Sequence, residues 1–160
     1  MTITQRITPC LWFDWQAEEA AAFYVSVLRN SRITGVTRNG DAGPGPKGSA
    51  LVVGFELDRQ AFTALNGGPA FKFNEAVSLI INCETQDEVD TYWEKLTSGG
   101  GSPSQCGWLK DRFGLSWQVV PTALIDMLQD KDAQKAQRVM QAMLQMTKID
   151  IARLNEAYAG

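Results

Sequence analysis

Short β-rich runs and amphipathic helical runs follow one another twice along this chain. Residues 6–13, RITPCLWF, are rich in strand formers and predict a strand. DWQAEEAAAFYVSVL sets Ala20, Phe23, Tyr24 and Val27 at helical spacing behind acids in its first turn, and predicts a helix. A strand near 31–37 runs into NGDAGPGPKGS, whose four glycines and two prolines predict a flexible loop or lid. ALVVGFELD and QAFTALN predict two strands around a tight turn at Asp58–Arg59.

After the connector 67–75 the pattern restarts. AVSLIINC predicts a strand. TQDEVDTYWEKLTSGG predicts a helix with Thr85 as N-cap, Glu88 completing a capping box, and a glycine stop. GGGSPSQ reads as a loop, and CGWLKD and GLSWQVV as a strand pair around Arg112–Phe113. The two halves align: Phe23–Tyr24 recurs as Tyr92–Trp93 after 69 residues, and LDRQAFTAL recurs as KDRFGLSWQ after 53. The expected fold is therefore α+β, with tandem βαβββ modules over 5–66 and 76–120. A helical extension at 121–160 completes a single domain spanning 1–160. Pro121 can open the first tail helix. DAQKAQRVMQAMLQM then puts Ala136, Val139, Met140, Met143 and Leu144 on one stripe, a packing or dimer face.

Composition narrows the chemistry. The net charge of −3, with scattered basic residues, argues against a nucleic-acid partner. No apolar run approaches membrane-spanning length, so no membrane partner is expected. The three cysteines, Cys10, Cys83 and Cys106, are odd in number and form no C-x-x-C pair. With an amino-terminal stretch that meets Asp14 early, they read as free thiols of a cytoplasmic protein. There is no histidine, which removes Ser-His-Asp and Cys-His chemistry and histidine-bound zinc. Asp14, Glu56 and Asp111 stand at strand ends or turns, where carboxylates are commonly solvated or capping. NGDAGPGPKGS lacks phosphate-loop spacing, and no G-x-G-x-x-G follows a strand, so nothing marks a nucleotide or S-adenosylmethionine site.

TPCLWFDWQAEEAAAFY, FTALNGGPAFKFNEAVSL, NCETQDEVDTYWEKL, CGWLKDRFGLSWQVVP and the tail KAQRVMQAMLQMTKIDI carry a closer likeness. Together they resemble the PhnB-like proteins, often labelled 3-demethylubiquinone-9 3-methyltransferase-like. These belong to the vicinal oxygen chelate superfamily of glyoxalase I, ring-cleaving dioxygenases and bleomycin-resistance proteins. The resemblance implies the glyoxalase/bleomycin-resistance fold, with curved mixed sheets forming an open, barrel-like cleft, and a homodimer. In metal-dependent members one ligand lies on the first strand and one on the last strand of each module. Counted from the helix aromatics and the turn alignment, those positions fall at Pro9, Leu65, Ser78 and Gln118. Proline and leucine cannot coordinate a cation, and a hydroxyl and an amide bring no charge to neutralise one. A slip of one residue, to Thr8, Asn66 or Val77, does not help. The expectation is no metal and no cofactor.

If Ser78 and Gln118 face the cleft, alternation adds Ser116, Ile80 and Asn82 to that side. Val77, Leu79, Ile81, Trp117 and Val119 then pack under the helices. The resulting reading is a small-molecule binder with apolar walls from Trp12, Phe71, Phe73 and Trp108, and with Asn66, Ser78 and Gln118 orienting a polar ligand. Two alternatives stand beside it. One is a metal-independent enzyme that polarises a substrate oxygen through Gln118, Asn66 or backbone amides. The other is a dimeric interaction module.

Overall fold

The computed structural model describes residues 5–160. The chain divides into two compact units, Met1–Lys72 and Phe73–Gly160. The first holds β1 (Cys10–Phe13), α1 (Ala17–Val27), β2 (Arg32–Arg38), β3 (Ala50–Leu57) and β4 (Gln60–Asn66). The second holds β5 (Ser78–Cys83), α2 (Gln86–Thr97), β6 (Ser102–Pro103), β7 (Trp108–Lys110) and β8 (Ser116–Pro121). It continues into α3 (Thr122–Leu128), α4 (Ala133–Leu144) and α5 (Ile151–Ala159). The sheets run β1-β4-β3-β2 and β5-β8-β7-β6, the same order twice. In each, the first strand pairs in parallel with the last, and the remaining neighbours are antiparallel. The repeat read from the sequence is thus a repeat of topology, and the fold is α+β with two open four-stranded mixed sheets and a helical C-terminal region.

Each sheet buries one face under its own helix. In the first unit Leu11, Phe13, Val53, Phe55, Phe62 and Ala64 are buried, as are Ala17, Ala20, Ala21 and Tyr24 of α1. The small alanines let the helix lie close, so Tyr24 stacks near Phe55 (6.3 Å between centroids), and Phe55 stacks on Phe62 (5.5 Å). In the second unit Ile81, Cys83, Leu109, Trp117 and Val119 are buried, together with Val89 and Leu96 of α2. Residues between these on the strands fall on the opposite face of each sheet, away from α1 and α2.

Local chemistry sets the ends of the elements. α1 begins at Ala17, later than the pattern suggests, because Trp15 takes a left-handed φ of 67°. Thr85 caps α2 by accepting from the Glu88 amide (3.2 Å). Glu88 reaches back to the amide of Glu84 (2.7 Å), one residue before the cap. The β3–β4 turn is the two-residue hairpin expected at Asp58–Arg59, with φ of 44° and 68° and Leu57 opposite Gln60. The β7–β8 turn is organised by Asp111. This carboxylate is buried rather than solvated, and accepts from the amides of Phe113 (2.8 Å) and Leu115 (3.1 Å) and from the Trp117 indole (2.8 Å).

One expectation changes and two gain detail. The glycine-rich segment is a loop whose turns are braced by buried Asn39. Asn39 accepts from the Gly48 and Gly45 amides and donates to the carbonyl of Ser49. Val77 lies outside β5 and is 66% exposed, so it does not pack under a helix. In the tail the expected stripe divides: Val139 is buried with Met146, Ile149 and Leu154 against Val120 and Leu124, and Met140 and Leu144 are exposed. Gln86 fastens this tail to α2, donating to the Ile149 carbonyl (3.0 Å) and accepting from the Ile151 amide (2.8 Å).

Candidate functional site

The face of the second sheet opposite α2 carries Ser78, Ser116 and Gln118. Gln118 stands on β8 between Ile80 on β5 and Trp108 on β7, its partners in the strand register. Ser116 stands between Ser78 and Lys110 in the same way. The Gln118 amide donates to the Ser78 hydroxyl (2.9 Å). Ile80 is 56% exposed, an apolar side chain open to solvent. Three of the sequence-selected residues, Ser78, Trp108 and Gln118, are therefore neighbours. Phe73 lies at the start of this unit and is half-buried.

A cavity of about 210 Å³ opens at the β6–β7–β8 side of this face, lined by Glu75, Ser102, Ser104, Trp108, Lys110 and Ser116 among others. Lys110 and Glu75 form an ion pair there, both side chains partly exposed. Hydrogen bonding from the Lys110 ammonium, helped by a backbone amide, holds the Glu75 carboxyl below the usual carboxylate range. Ser116 is 1% exposed, and its hydroxyl has no hydrogen-bond partner. Buried polar groups are normally paired, so this hydroxyl marks the cavity as a place where a hydrogen bond is still to be made. Reading the sequence placed Ser116 on this face but gave it no role, and did not select Glu75 or Lys110 for the site. Their signal lies in three-dimensional pairing.

The first unit presents Trp12 and Phe71. Trp12 is half-buried on the sheet face away from α1, and its indole donates to the Gly68 carbonyl (2.8 Å). Phe71, 65% exposed, meets it edge-on at 4.9 Å. Asn66 is different. It is buried, accepts from the Ala17 amide (2.8 Å) and donates to the Ala50 carbonyl (3.0 Å). Gln16 makes no side-chain cap at α1, so Asn66 supplies that cap from another strand. Both ends of its amide serve the scaffold, and it is not available to orient a ligand.

The strand register also corrects one metal-site position. Cys10 pairs with Thr63 and Trp12 with Leu65, as Ser78 pairs with Ser116 and Ile80 with Gln118. The counterpart of Ser78 is therefore Cys10 and not Pro9. Counting from the helix aromatics misses by one because the stretch from Ser78 to the start of α2 is one residue longer than that from Cys10 to the start of α1. Pro9 instead accepts the Thr63 amide on its carbonyl (2.9 Å). The corrected set of Cys10, Leu65, Ser78 and Gln118 includes no carboxylate or imidazole, and the Ser78 hydroxyl is already occupied by Gln118. These side chains do not fit the oxygen- and nitrogen-rich shell of a divalent ion. Among the described residues, no three acidic, cysteine or histidine side chains cluster as a metal site.

Comparison with known proteins agrees with this architecture. The solved PhnB protein from Bacillus cereus is 35% identical, with a TM-score of 0.68 over 73% of this chain and 99% of its own. Protein PA1353 from Pseudomonas aeruginosa shares the fold at 22% identity and a TM-score of 0.60, over 74% of this chain and 98% of its own. The fosfomycin resistance protein from Listeria monocytogenes, solved with Mn(II) and sulfate, shares the fold at 12% identity. Its TM-score is 0.52, over 75% of this chain and 91% of its own. No curated protein matches the sequence. The 3-demethylubiquinone-9 3-methyltransferase family matches residues 5–120 and stops there, so the tail that entered the sequence likeness lies outside that match. With both modules matched end to end, the chain belongs to this 3-demethylubiquinone-9 3-methyltransferase (PhnB-like) family.

Proposed function

We propose that this protein binds or sequesters a small organic molecule without a metal ion, using the face of its second sheet that carries Ser78 and Gln118. Ser78 and Gln118 orient the polar end of the ligand, and Trp108 and Ile80 supply apolar surface. Phe73, in the same unit, belongs to the reading as an apolar wall, and Trp12 and Phe71 form a separate apolar pair in the first unit. The observation that carries it is the Gln118–Ser78 hydrogen bond (2.9 Å). At two positions where the resemblance would put metal ligands, this chain has two neutral side chains satisfying one another. Such a pair can turn toward a polar ligand at small cost, whereas an unneutralised divalent ion beside it would be strongly unfavourable.

The enzymatic alternative is weakened by Asn66, whose amide is buried and bonded at both ends. The methyltransferase label in the family name has no S-adenosylmethionine-binding motif behind it in this sequence. A cytoplasmic homodimer is part of the reading, and a monomeric mass by light scattering would remove that part. Among the described residues no helix is long and apolar enough to cross a membrane. The binding reading is tested by thermal-shift fractionation of a metabolite extract. A fraction that raises the midpoint of the wild-type protein should act more weakly on Gln118→Ala. Equal shifts for both proteins would move the ligand away from this face.

A further inference from the structure

Resting on that reading, we infer that the cavity at the β6–β7–β8 side accepts a small carboxylic acid with an aromatic or apolar body. Its carboxylate would replace Glu75 on Lys110 and take the Ser116 hydroxyl as a second donor. The cavity has one cation, Lys110, and one buried hydroxyl without a partner, Ser116, on adjacent strands in direct register. The Lys110 ammonium is already held by a carboxylate, that of Glu75 from the connector ahead of β5. Glu75 is the internal stand-in that shows what chemistry the lysine takes.

That stand-in is weakly held. The side chains of Lys110 and Glu75 are 42% and 62% exposed, and ion pairs of this kind contribute little net free energy. Glu75 has not satisfied Ser116, which remains unpaired. An entering carboxylate that reached both groups would gain a hydrogen bond at a buried hydroxyl that now has none, and a bond to an ionised acceptor is among the stronger kinds. Trp108 lines the same cavity and offers an aromatic face to the rest of the molecule.

Volume and charge limit the choice. About 210 Å³ is below the range of drug-sized pockets, so the ligand is a fragment-sized acid. A phosphate dianion fits poorly, because one lysine cannot neutralise it beside the displaced Glu75 carboxylate.

The test is calorimetric titration of the full chain with benzoate and phenylacetate, their neutral counterparts benzamide and phenylacetamide, and inorganic phosphate. At least one acid should bind at millimolar concentration or below, with its amide at least tenfold weaker and phosphate silent. Glu75→Gln removes the internal competitor and should tighten the acid several-fold. Lys110→Gln should weaken it tenfold or more, and Ser116→Ala several-fold. Circular dichroism of each variant checks the fold, and the exposed Glu75 and Lys110 sites keep the comparison usable if Ser116→Ala is unstable. Equal binding of acid and amide, weaker binding by Glu75→Gln, preferential binding of phosphate, or no binding of either acid would each overturn the inference. The broader binding reading would survive any of these if a neutral molecule were retained on the Gln118 side. It would fail with the inference only if no small molecule bound at all.

Discussion

Gln118 and Ser78, on parallel neighbouring strands, spend their polar groups on each other: the Gln118 amide donates to the Ser78 hydroxyl at 2.9 Å. The pair is half-buried, so the bond stabilises the sheet only modestly. Ser78→Ala should lower the unfolding free energy by about 1 kcal/mol, the net worth of one such hydrogen bond. Urea denaturation followed by tryptophan fluorescence reads this directly. A loss several times larger would mean that Ser78 is a core residue and not a ligand-facing one.

Asn66 should behave in the opposite way. Its amide satisfies the first helical amide of α1 and a carbonyl at the start of β3, both in buried surroundings. Asn66→Ala leaves both groups unpaired and should cost about 2–4 kcal/mol. Asn66→Asp keeps the acceptor for Ala17 and loses the donor to Ala50, so it should fall between. Small-molecule binding per folded molecule should not change in either variant, which equilibrium dialysis below the unfolding midpoint would establish.

Gly67 is fixed by Trp12. A Cβ at Gly67 would lie 2.2 Å from the Trp12 ring, far inside contact distance. Gly67→Ala must therefore push the indole aside, straining its bond to the Gly68 carbonyl and its edge-on packing with Phe71. A loss of about 1–3 kcal/mol, typical of overpacking, is expected. A red-shifted tryptophan emission should accompany it. Unchanged stability and emission would show that the indole is not held there.

The tail carries a pH-dependent tether. The Tyr158 hydroxyl donates to Asp130, linking α5 to the segment after α3. That bond, with the Asp132 backbone amide, lowers the Asp130 carboxyl below its ordinary value. The bond to Asp130, then burial and the charges of Asp130 and Asp132, raise the Tyr158 hydroxyl above its ordinary value. A depressed carboxyl stabilises fully above its unfolded pKa and loses that contribution as pH falls through the folded one. A raised phenol stabilises fully below its unfolded pKa and loses it as pH rises through the folded one. Tyr158→Phe should therefore lower the thermal midpoint most at neutral pH. The gap to wild type should close in acid below the normal aspartate range and again in alkali above the normal tyrosine range. A gap that stays constant across pH would mean the tether is only packing.

Much of this scaffold can be read from the sequence because period and punctuation are local. The helical spacing of Phe23–Tyr24 and Tyr92–Trp93, the Thr85 cap of α2 and the hairpin at Asp58–Arg59 depend on neighbouring residues only. The repeat they form is enough to anticipate the shared sheet order. What escaped depends on distant residues. The hydrogen bonds that brace the glycine-rich loop come from Asn39, a single amide that composition alone does not single out. Asn66 looks like a site residue until Ala17 and Ala50 are seen at its two ends. The equivalence of Cys10 and Ser78 needs strand register, because one extra residue before α2 defeats counting from the helix. Glu75, Lys110 and Ser116 meet only through a connector and two strands, so no spacing rule selects them.

The central claim is tested most directly by native mass spectrometry of protein purified without chelator, mixed with a metabolite pool, with and without added divalent ions. The expected spectrum shows a retained organic molecule whose occupancy is the same in both conditions and falls in Gln118→Ala. One zinc, iron, manganese or nickel ion per chain, or a molecule retained only when the ion is supplied, would contradict it.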